Sequence, residues 1–408
     1  MSRPSLIAHG GWPFLIASII GRLPAATIQL GLLMYVSGVG LGYGLGGLTV
    51  AAVGLGTALS STLMGRLIDT WGPLPVLVVN TLVQVAALFG VHLMTPALVS
   101  GSLGSWALLL IAGVAGFANP QVGPIVRSHW SHLARERREP ALVRNALGYE
   151  SAVDEMSFIV GPIVAGLLVG VLGPTAALFW LIAFVIAGQG VFIAYLWLDR
   201  ANWRHHTRGG QIPLAGDTKL PMGELIAPMI VLLSVGITFG ATQTALNAVN
   251  DSRGTPELTG IIYGSVGIGS AITALLTPRL PESIGLGRRL LFGSLGLLAG
   301  GLCFTLLHDV GLWLVLVGIA LGFAIGVVLV TGFARAEAVA PPSRVASAMT
   351  MLAMCLTLGV SIGAAVSGQL ADVPQRGFLP VIVAGALASI AGVLIGMARN
   401  RARGQNEV

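Results

Sequence analysis

Residues 146–170 read ALGYESAVDEMSFIVGPIVAGLLVG, a stretch long and apolar enough to cross a membrane that carries Glu150, Asp154 and Glu155 in its first third. At about 100° per residue, these three acids fall on the small-residue half of a helix. That half also holds Ser157, Gly161, Pro162, Ala165 and Gly166, and the other half holds Val153, Met156, Ile159, Val160, Ile163, Val164 and Leu167. We therefore expect the acids to face other helices or a cavity and not lipid.

The composition of the whole chain indicates an integral membrane protein. Of its 408 residues 55% are hydrophobic and only 9% charged, and the mean hydropathy is +0.87. One water-soluble core cannot bury that much apolar surface. Runs of about 20 apolar residues, the length that crosses a bilayer, predict an all-α protein with twelve transmembrane helices. They lie at 12–36, 43–64, 76–94, 105–126, 147–170, 176–198, 223–247, 258–277, 290–307, 311–333, 346–369 and 378–398.

The basic residues predict the orientation of these helices. If the N-terminus is cytoplasmic, every Lys and Arg except Arg22, Arg253 and Arg376 falls in a cytoplasmic segment, as basic residues do in membrane proteins. We therefore expect a multi-pass protein of the plasma (inner) membrane with both termini cytoplasmic. The sequence pI near 10 is then a signal of topology, and nucleic acid is not an expected partner.

The chain divides into two similar halves. The longest polar interval, 199–222, is predicted to be a cytoplasmic linker between six-helix halves at 1–198 and 223–398, with a cytoplasmic tail at 399–408. The loop GRLIDTWG at 65–72 is echoed by PRLPESIG at 278–285, which repeats an Arg, an acid and a Gly at equal offsets. A second echo pairs Gly161 and Gly166 with Gly363 and Gly368. Such duplication is typical of secondary transporters.

These features resemble the major facilitator superfamily over essentially the whole chain. The family's loop motif runs Gly-x-Leu-x-Asp-basic-x-Gly-basic-basic, and Gly65, Leu67, Asp69 and Gly72 match it. The basic positions are occupied by Thr70, Pro73 and Leu74. The resemblance implies that Asp69 contacts Arg127, at the cytoplasmic end of the fourth helix, and the N-terminus of the eleventh helix, so that these residues hold the halves closed on the inside.

The opening stretch is similar to a second motif of the family, Gly-x-x-x-Gly-Pro-x-x-Gly-Gly in the fifth helix. Gly161, Pro162 and Gly166 match it, and Ser157 and Ala165 replace two glycines by the next smallest residues. Small residues allow another helix to approach closely, and Pro162 allows a bend. We therefore expect Gly161, Pro162 and Gly166 to take part in conformational change. In the family this motif is associated with exporters.

Arg22 is the predicted partner of the acids. A charged residue inside a membrane helix is costly and is expected to face a cavity or an opposite charge. Arg22 and Asp154 both lie roughly 15 Å from the cytoplasmic start of their helices, and the resemblance implies that the first and fifth helices are neighbours. One of Asp154 and Glu155 would balance Arg22, and the other would take up protons readily in its desolvated position. Alternatively, Glu150 lies at the water boundary and the remaining charges form a static structural clamp.

Four amides at membrane depth are candidate substrate contacts: Gln29, Asn119, Gln243 and Asn247. The resemblance implies that the first, fourth, seventh and tenth helices line a central cavity. Each amide could instead make a hydrogen bond between helices. The histidines and cysteines lack metal-ligand spacing, and no nucleotide-binding loop is found. We therefore expect no catalytic residue, no metal and no cofactor, with a proton gradient as the energy source.

These observations predict a proton-coupled exporter of small amphipathic molecules that works by alternating access. Its expected partners are the lipid bilayer, a small-molecule substrate and protons, and we expect a monomer. Proton antiporters of the superfamily commonly carry an Arg early in the fourth helix, which residues 105–123 lack, so Arg22 would have to replace it. The alternatives are a proton-coupled importer of a sugar or other metabolite and a transport-inactive membrane receptor or assembly partner.

Overall fold

The computed structural model describes residues 6–120, 122–199, 203, 220–277, 280–281, 284–341 and 344–406, and this part of the chain contains helices and no strand. The helices are α1 (Leu6–Val36), α2 (Gly42–Trp71), α3 (Pro73–Val99), α4 (Ser105–Phe117), α5 (Val122–Glu136), α6 (Pro140–Leu198), α7 (Met222–Asp251), α8 (Glu257–Leu276), α9 (Leu286–Leu307), α10 (Leu314–Val339), α11 (Val345–Leu370) and α12 (Leu379–Asn406). A short π-helix, Ser37–Leu41, joins α1 to α2. The predicted all-α membrane fold is confirmed.

Ten segments of the described residues are long and apolar enough to span a membrane, and two of them are far too long for one crossing. Leu6–Ser61 has 56 residues and Asn145–Leu198 has 54, whereas a bilayer core of about 30 Å needs about 20. Non-helical glycines divide both segments, Gly40 between α1 and α2 and Gly173 within α6. Counting each long segment as two spans gives the twelve predicted crossings.

Local sequence explains where the helices break. Gly72 ends α2 with φ 84°, a left-handed conformation that favours glycine, and Pro73 begins α3 because its missing N–H is not needed at a helix start. Asn119 and Pro120 separate α4 from α5, which together form the fourth span. Pro120 lacks the backbone N–H that would continue α4.

The two halves are related by a pseudo-symmetry that is visible in their glycine contacts. Gly161 of α6 packs against Ala26 of α1, and its counterpart Gly363 of α11 packs against Ile237 of α7. Gly166 of α6 meets Gly260 of α8 in the other half, and its counterpart Gly368 of α11 meets Gly47 of α2. The sequence echo therefore corresponds to equivalent helix contacts in the two halves. Because most of the linker 199–222 lies outside the described residues, the half boundaries stay a prediction.

We call the side of the bundle where α1 begins and α12 ends the terminal side, and the other side the opposite side. The halves touch each other on the opposite side. Tyr43 Oη donates a hydrogen bond to Asp251 Oδ2 at 2.7 Å. Asn247 Nδ2 donates to Ser37 Oγ at 2.9 Å. The close contacts of Gly166 with α8 and of Gly368 with α2 lie near the same side. The structure is therefore closed on the opposite side.

Gly47→Val is expected to open this side. A side chain at Gly47 would collide with the Ala364 carbonyl and crowd Gly368 of α11, and overpacking a contact costs about 1–3 kcal/mol. We expect a cysteine at Ser361, which is buried where α11 meets α2, to react with an impermeant maleimide from the opposite side roughly fivefold faster or more. Gly190→Val is the control, since Gly190 is exposed and faces open space. Equal labelling in both variants would contradict the interpretation.

Candidate functional site

Arg22 and Glu150 form a buried ion pair at the centre of the N-terminal half. Arg22 is 5% exposed and Glu150 is fully buried, and their guanidinium and carboxylate groups are in direct contact. Trp130 Nε1 of α5 donates a hydrogen bond to Glu150 Oε1 at 2.8 Å. Glu150 therefore has a cation on one carboxylate oxygen and a donor on the other. It is not at the water boundary, as the alternative interpretation supposed.

Asp154 joins two arginines from different helices. Arg22 Nη1 lies 3.3 Å from Asp154 Oδ1, and Arg127 of α5 pairs with Asp154 Oδ2. The spacing of four residues between Glu150 and Asp154 puts both acids on one face of α6, so one guanidinium reaches both. Two arginines and two carboxylates thus form a continuous network that links α1, α5 and α6.

Glu155 is the acid of the opening stretch that lies outside this network. Its side chain is half-buried and lines the cavity between the halves. Among the described residues, no ion pair or hydrogen bond is found for its carboxylate. Of the three carboxylates, Glu155 is the one that faces the cavity without a charged partner in this part of the chain.

The cavity has a volume of about 460 Å³ and is bounded by both halves. Its wall from the N-terminal half includes Arg22, Ala26, Gln29, Thr57, Asn119, Pro120, Gly123, Arg127, Asp154, Glu155, Phe158 and Pro162. Its wall from the C-terminal half consists of Phe239, Gln243, Tyr263, Gly267, Ser270, Leu329, Leu356, Thr357 and Val360. Arg127 lies near the end of the fourth span on the terminal side, and its side chain is 39% exposed. The cavity therefore opens toward the terminal side, away from the closed contacts.

Three of the four predicted amides line this cavity. Gln29 lies on its wall, and Asn119 does so while its Oδ1 accepts a hydrogen bond from Gln84 Nε2 at 3.3 Å. Gln243 is 3% exposed, and its Nε2 has no hydrogen-bond partner among the described residues. The expected position of Asn247 on the cavity wall is wrong. Asn247 does not line the cavity, and its Nδ2 instead donates a hydrogen bond to Ser37 Oγ between the halves. It lies one turn beyond Gln243 toward the opposite side, where the halves are in contact.

The loop residues Gly65, Asp69 and Gly72 lie apart from the cavity. Gly72 makes the turn described above, and Gly65 faces open space. Asp69 is exposed and has no ion pair among the described residues, while Arg127 is paired with Asp154. The expected contact of Asp69 with Arg127 is thus not made in this conformation, in which Asp154 holds the Arg127 guanidinium. The echo residues Arg279 and Glu282 lie outside the described residues.

The Asp69–Arg127 contact remains a prediction for the state that is closed on the terminal side. In the Gly47→Val background, which favours that state, cysteines at positions 69 and 127 are expected to cross-link several times faster than in the wild-type background. The same pair in wild-type protein is the control. Cross-linking that is equally slow in both backgrounds would remove Asp69 from the gate.

Trp130 is a residue of the buried network that the sequence analysis did not predict. It follows Arg127 by three residues, so both lie on one face of α5, and that face packs against the acids of α6. The sequence signal that could have identified Trp130 is the Arg-x-x-Trp spacing of Arg127 and Trp130. The position of Glu150 opposite Trp130 depends on the packing of α5 against α6, which the local pattern does not specify.

Comparisons with known proteins agree with this architecture. The nucleoside transporter NupG has a TM-score of 0.70 at 16% identity, covering 94% of this chain and 97% of that chain. A bacterial homologue of the iron transporter ferroportin in its inward-facing state gives 0.69 at 17%, covering 96% and 99%. A mutant form of the peptide transporter POT gives 0.65 at 16%, covering 98% and 96%. At such identities the likeness shows the fold alone.

Comparison at the level of sequence gives the family. No curated protein matches this chain in sequence. The sequence profile described as Major Facilitator Superfamily matches residues 15–364, and matches again over 228–407. These matches span both halves, the ion-pair network and the cavity. Together with the twelve crossings and the pseudo-symmetric halves, they establish that the chain belongs to the Major Facilitator Superfamily and is a multi-pass membrane transporter.

Proposed function

We propose that this transporter is a proton-coupled exporter of small amphipathic molecules, with Glu155 as the proton carrier. The single observation that carries the proposal is the Glu155 carboxylate on the cavity wall, which lacks a charged partner among the described residues. A carboxylate in a desolvated position can alternate between its charged and neutral forms as its surroundings change. The charges of Arg22 and Arg127 balance those of Glu150 and Asp154. These four residues therefore keep the electrostatic field near Glu155 constant.

Alternating access couples this protonation to transport. In the conformation described, Glu155 is accessible through the cavity from the terminal side. We assign this side to the cytoplasm and the protein to the plasma membrane. Rocking of the two halves about the glycine contacts would expose the same carboxylate to the outside, where protons are more abundant. Gly161, Pro162 and Gly166 support this motion because they allow close approach and bending. The proton gradient supplies the energy, and no resident cofactor is needed.

Export of amphipathic molecules is supported by the cavity and by the fifth-span motif. The wall combines apolar side chains such as Phe158, Phe239 and Leu356 with a few polar groups, which suits a molecule of mixed character. The match of Gly161, Pro162 and Gly166 to the motif associated with exporters favours efflux. We expect a monomer, since one chain contains both halves and the complete cavity.

Transport in inverted membrane vesicles tests this proposal. Vesicles containing the protein are given a panel of dyes and metabolites, with and without an imposed inward-acid pH gradient. We expect amphipathic dyes to accumulate only with the gradient, and accumulation to collapse when a protonophore is added. Accumulation of a sugar or other metabolite in right-side-out vesicles instead would favour the importer. Absence of any gradient-dependent movement across the panel would contradict proton-coupled transport.

A further inference from the structure

Among the described residues, the charges around the cavity belong to one half. The charged lining residues of this part of the chain are Arg22, Arg127, Asp154 and Glu155 of the N-terminal half, and the described lining from the C-terminal half is uncharged. Glu150 stands directly behind Arg22. Two cations and three carboxylates leave this cluster with one negative charge when every carboxylate is ionised. An isolated charge in a desolvated site is costly, so the cavity favours an occupant that supplies one positive charge.

Gln243 is a second, independent indication of a ligand. It is almost fully buried on the C-terminal wall, yet its Nε2 donor lacks a partner among the described residues. Leaving a buried donor unsatisfied is costly, and a ligand that accepts its hydrogen bond would recover that loss. Because Nε2 can only donate, a ligand that satisfies it must carry a hydrogen-bond acceptor.

Two aromatic rings on the same wall complete the site. Phe239 and Tyr263 lie with ring centroids 6.5 Å apart in an edge-to-face arrangement, and both line the cavity. Aromatic rings attract cations at their faces and offer apolar area to a flat organic body. Tyr263 Oη has no hydrogen bond among the described residues, so it can also serve a polar group of the ligand.

We infer that the cavity takes a monovalent organic cation that carries a hydrogen-bond acceptor, and that this cation and the transported proton exclude each other at Glu155. The inference deepens the proposed function and rests on it for Glu155 as proton carrier. The cationic group lies against Glu155, the apolar body against Phe239 and Tyr263, and the acceptor against Gln243.

Charge balance explains the exclusion. Among the described residues, the titratable and charged groups that line the cavity with Glu155 are Arg22 on α1, Arg127 on α5, Asp154 on its own helix α6 and Tyr263 on α8. A proton on Glu155 makes the cluster neutral, and so does a bound monocation. Both together would leave one positive charge in a desolvated cavity, at a cost similar to that of the empty, ionised state. One proton therefore leaves for each cation that enters.

Binding to purified protein in detergent tests this inference without any gradient. The probes are rhodamine 6G, a monocation with an ester carbonyl, and the ethyl ether of fluorescein ethyl ester, a xanthene ester that has no ionisable group and stays uncharged. We expect affinity for rhodamine 6G to rise about tenfold per pH unit while Glu155 is mostly protonated. In weakly buffered solution we expect about one proton to be released per dye bound, and we expect the uncharged probe to show neither effect.

Variants assign the two contacts. Glu155→Gln should weaken rhodamine 6G binding about 10- to 100-fold and abolish its pH dependence, because a charged contact is lost. Gln243→Leu should weaken binding about 3- to 10-fold and preserve the pH dependence. Glu337→Gln removes an exposed carboxylate of the C-terminal half and should change nothing. Size-exclusion chromatography verifies that each variant is folded.

The outcomes separate the inference from the proposed function. Equal affinity for the two dyes, binding that releases no proton, or undiminished pH dependence in folded Glu155→Gln would each overturn the inference. Proton-linked, Glu155-dependent cation binding establishes it, even if the vesicle experiment finds no uphill export. Conversely, gradient-driven export of neutral molecules with no preference for the cation would leave the proposed function standing and remove the substrate class.

Discussion

Arg22→Met is expected to lower the free energy of unfolding by about 3–5 kcal/mol, the cost of leaving a buried charge without its partner. Methionine has a similar length and fills the space of the arginine stem, so the loss arises from charge and not from a cavity. It leaves Glu150, which is fully buried, with only the Trp130 N–H as a donor. Thermal unfolding in detergent, followed by tryptophan fluorescence, measures the effect.

The matched double variant Arg22→Met with Glu150→Gln is expected to regain most of that stability. Glutamine keeps the shape of the Glu150 side chain and can still accept the hydrogen bond from Trp130. Because glutamine is uncharged, the double variant has no unpaired buried charge at position 150. Glu150→Gln alone should be less harmful than Arg22→Met, since Arg22 keeps Asp154 at 3.3 Å. A double variant as unstable as Arg22→Met would show that the two side chains do not act as a pair.

Glu155→Gln is expected to abolish uphill transport. A permanently neutral side chain cannot take up a proton on one side and release it on the other, so the gradient loses its connection to the substrate. Because the Glu155 side chain makes no ion pair or hydrogen bond with the described residues, the amide should leave stability nearly unchanged. Vesicle transport with an imposed pH gradient measures the loss, and neutral amphipathic substrates should still equilibrate down their own gradients.

The control for Glu155→Gln is Asp154→Asn at the adjacent position. Asp154 is held between Arg22 and Arg127, so its loss leaves Arg127 without its ion-pair partner and should lower stability, whereas Glu155→Gln should not. If all these charges form only a static clamp, Glu155→Gln would retain gradient-driven transport with normal pH dependence. That result would leave Glu155 without a coupling role and make the network purely structural.

The number of crossings could be predicted because the bilayer sets the length of an apolar run. The two segments that are too long for one crossing, Leu6–Ser61 and Asn145–Leu198, are divided at Gly40 and Gly173, and both divisions lie between predicted spans. The helix break at Asn119-Pro120 has an equally local cause, since proline removes a backbone donor. The acids of α6 could be placed on the small-residue face because helix period alone determines which residues share a face.

Helix period and hydrophobic length are properties of short segments, so the membrane class, the twelve spans, the duplicated halves and the shared face of Glu150, Asp154 and Glu155 all follow from the chain alone. Which carboxylate meets Arg22 depends on tertiary packing, since residues 22 and 150 are 128 positions apart and meet only when α1 packs against α6. The bond from Asn247 to Ser37 and the separation of Asp69 from Arg127 also required the assembled bundle. Those contacts depend on which side of the bundle is closed, and a periodic pattern does not distinguish two conformations of one chain.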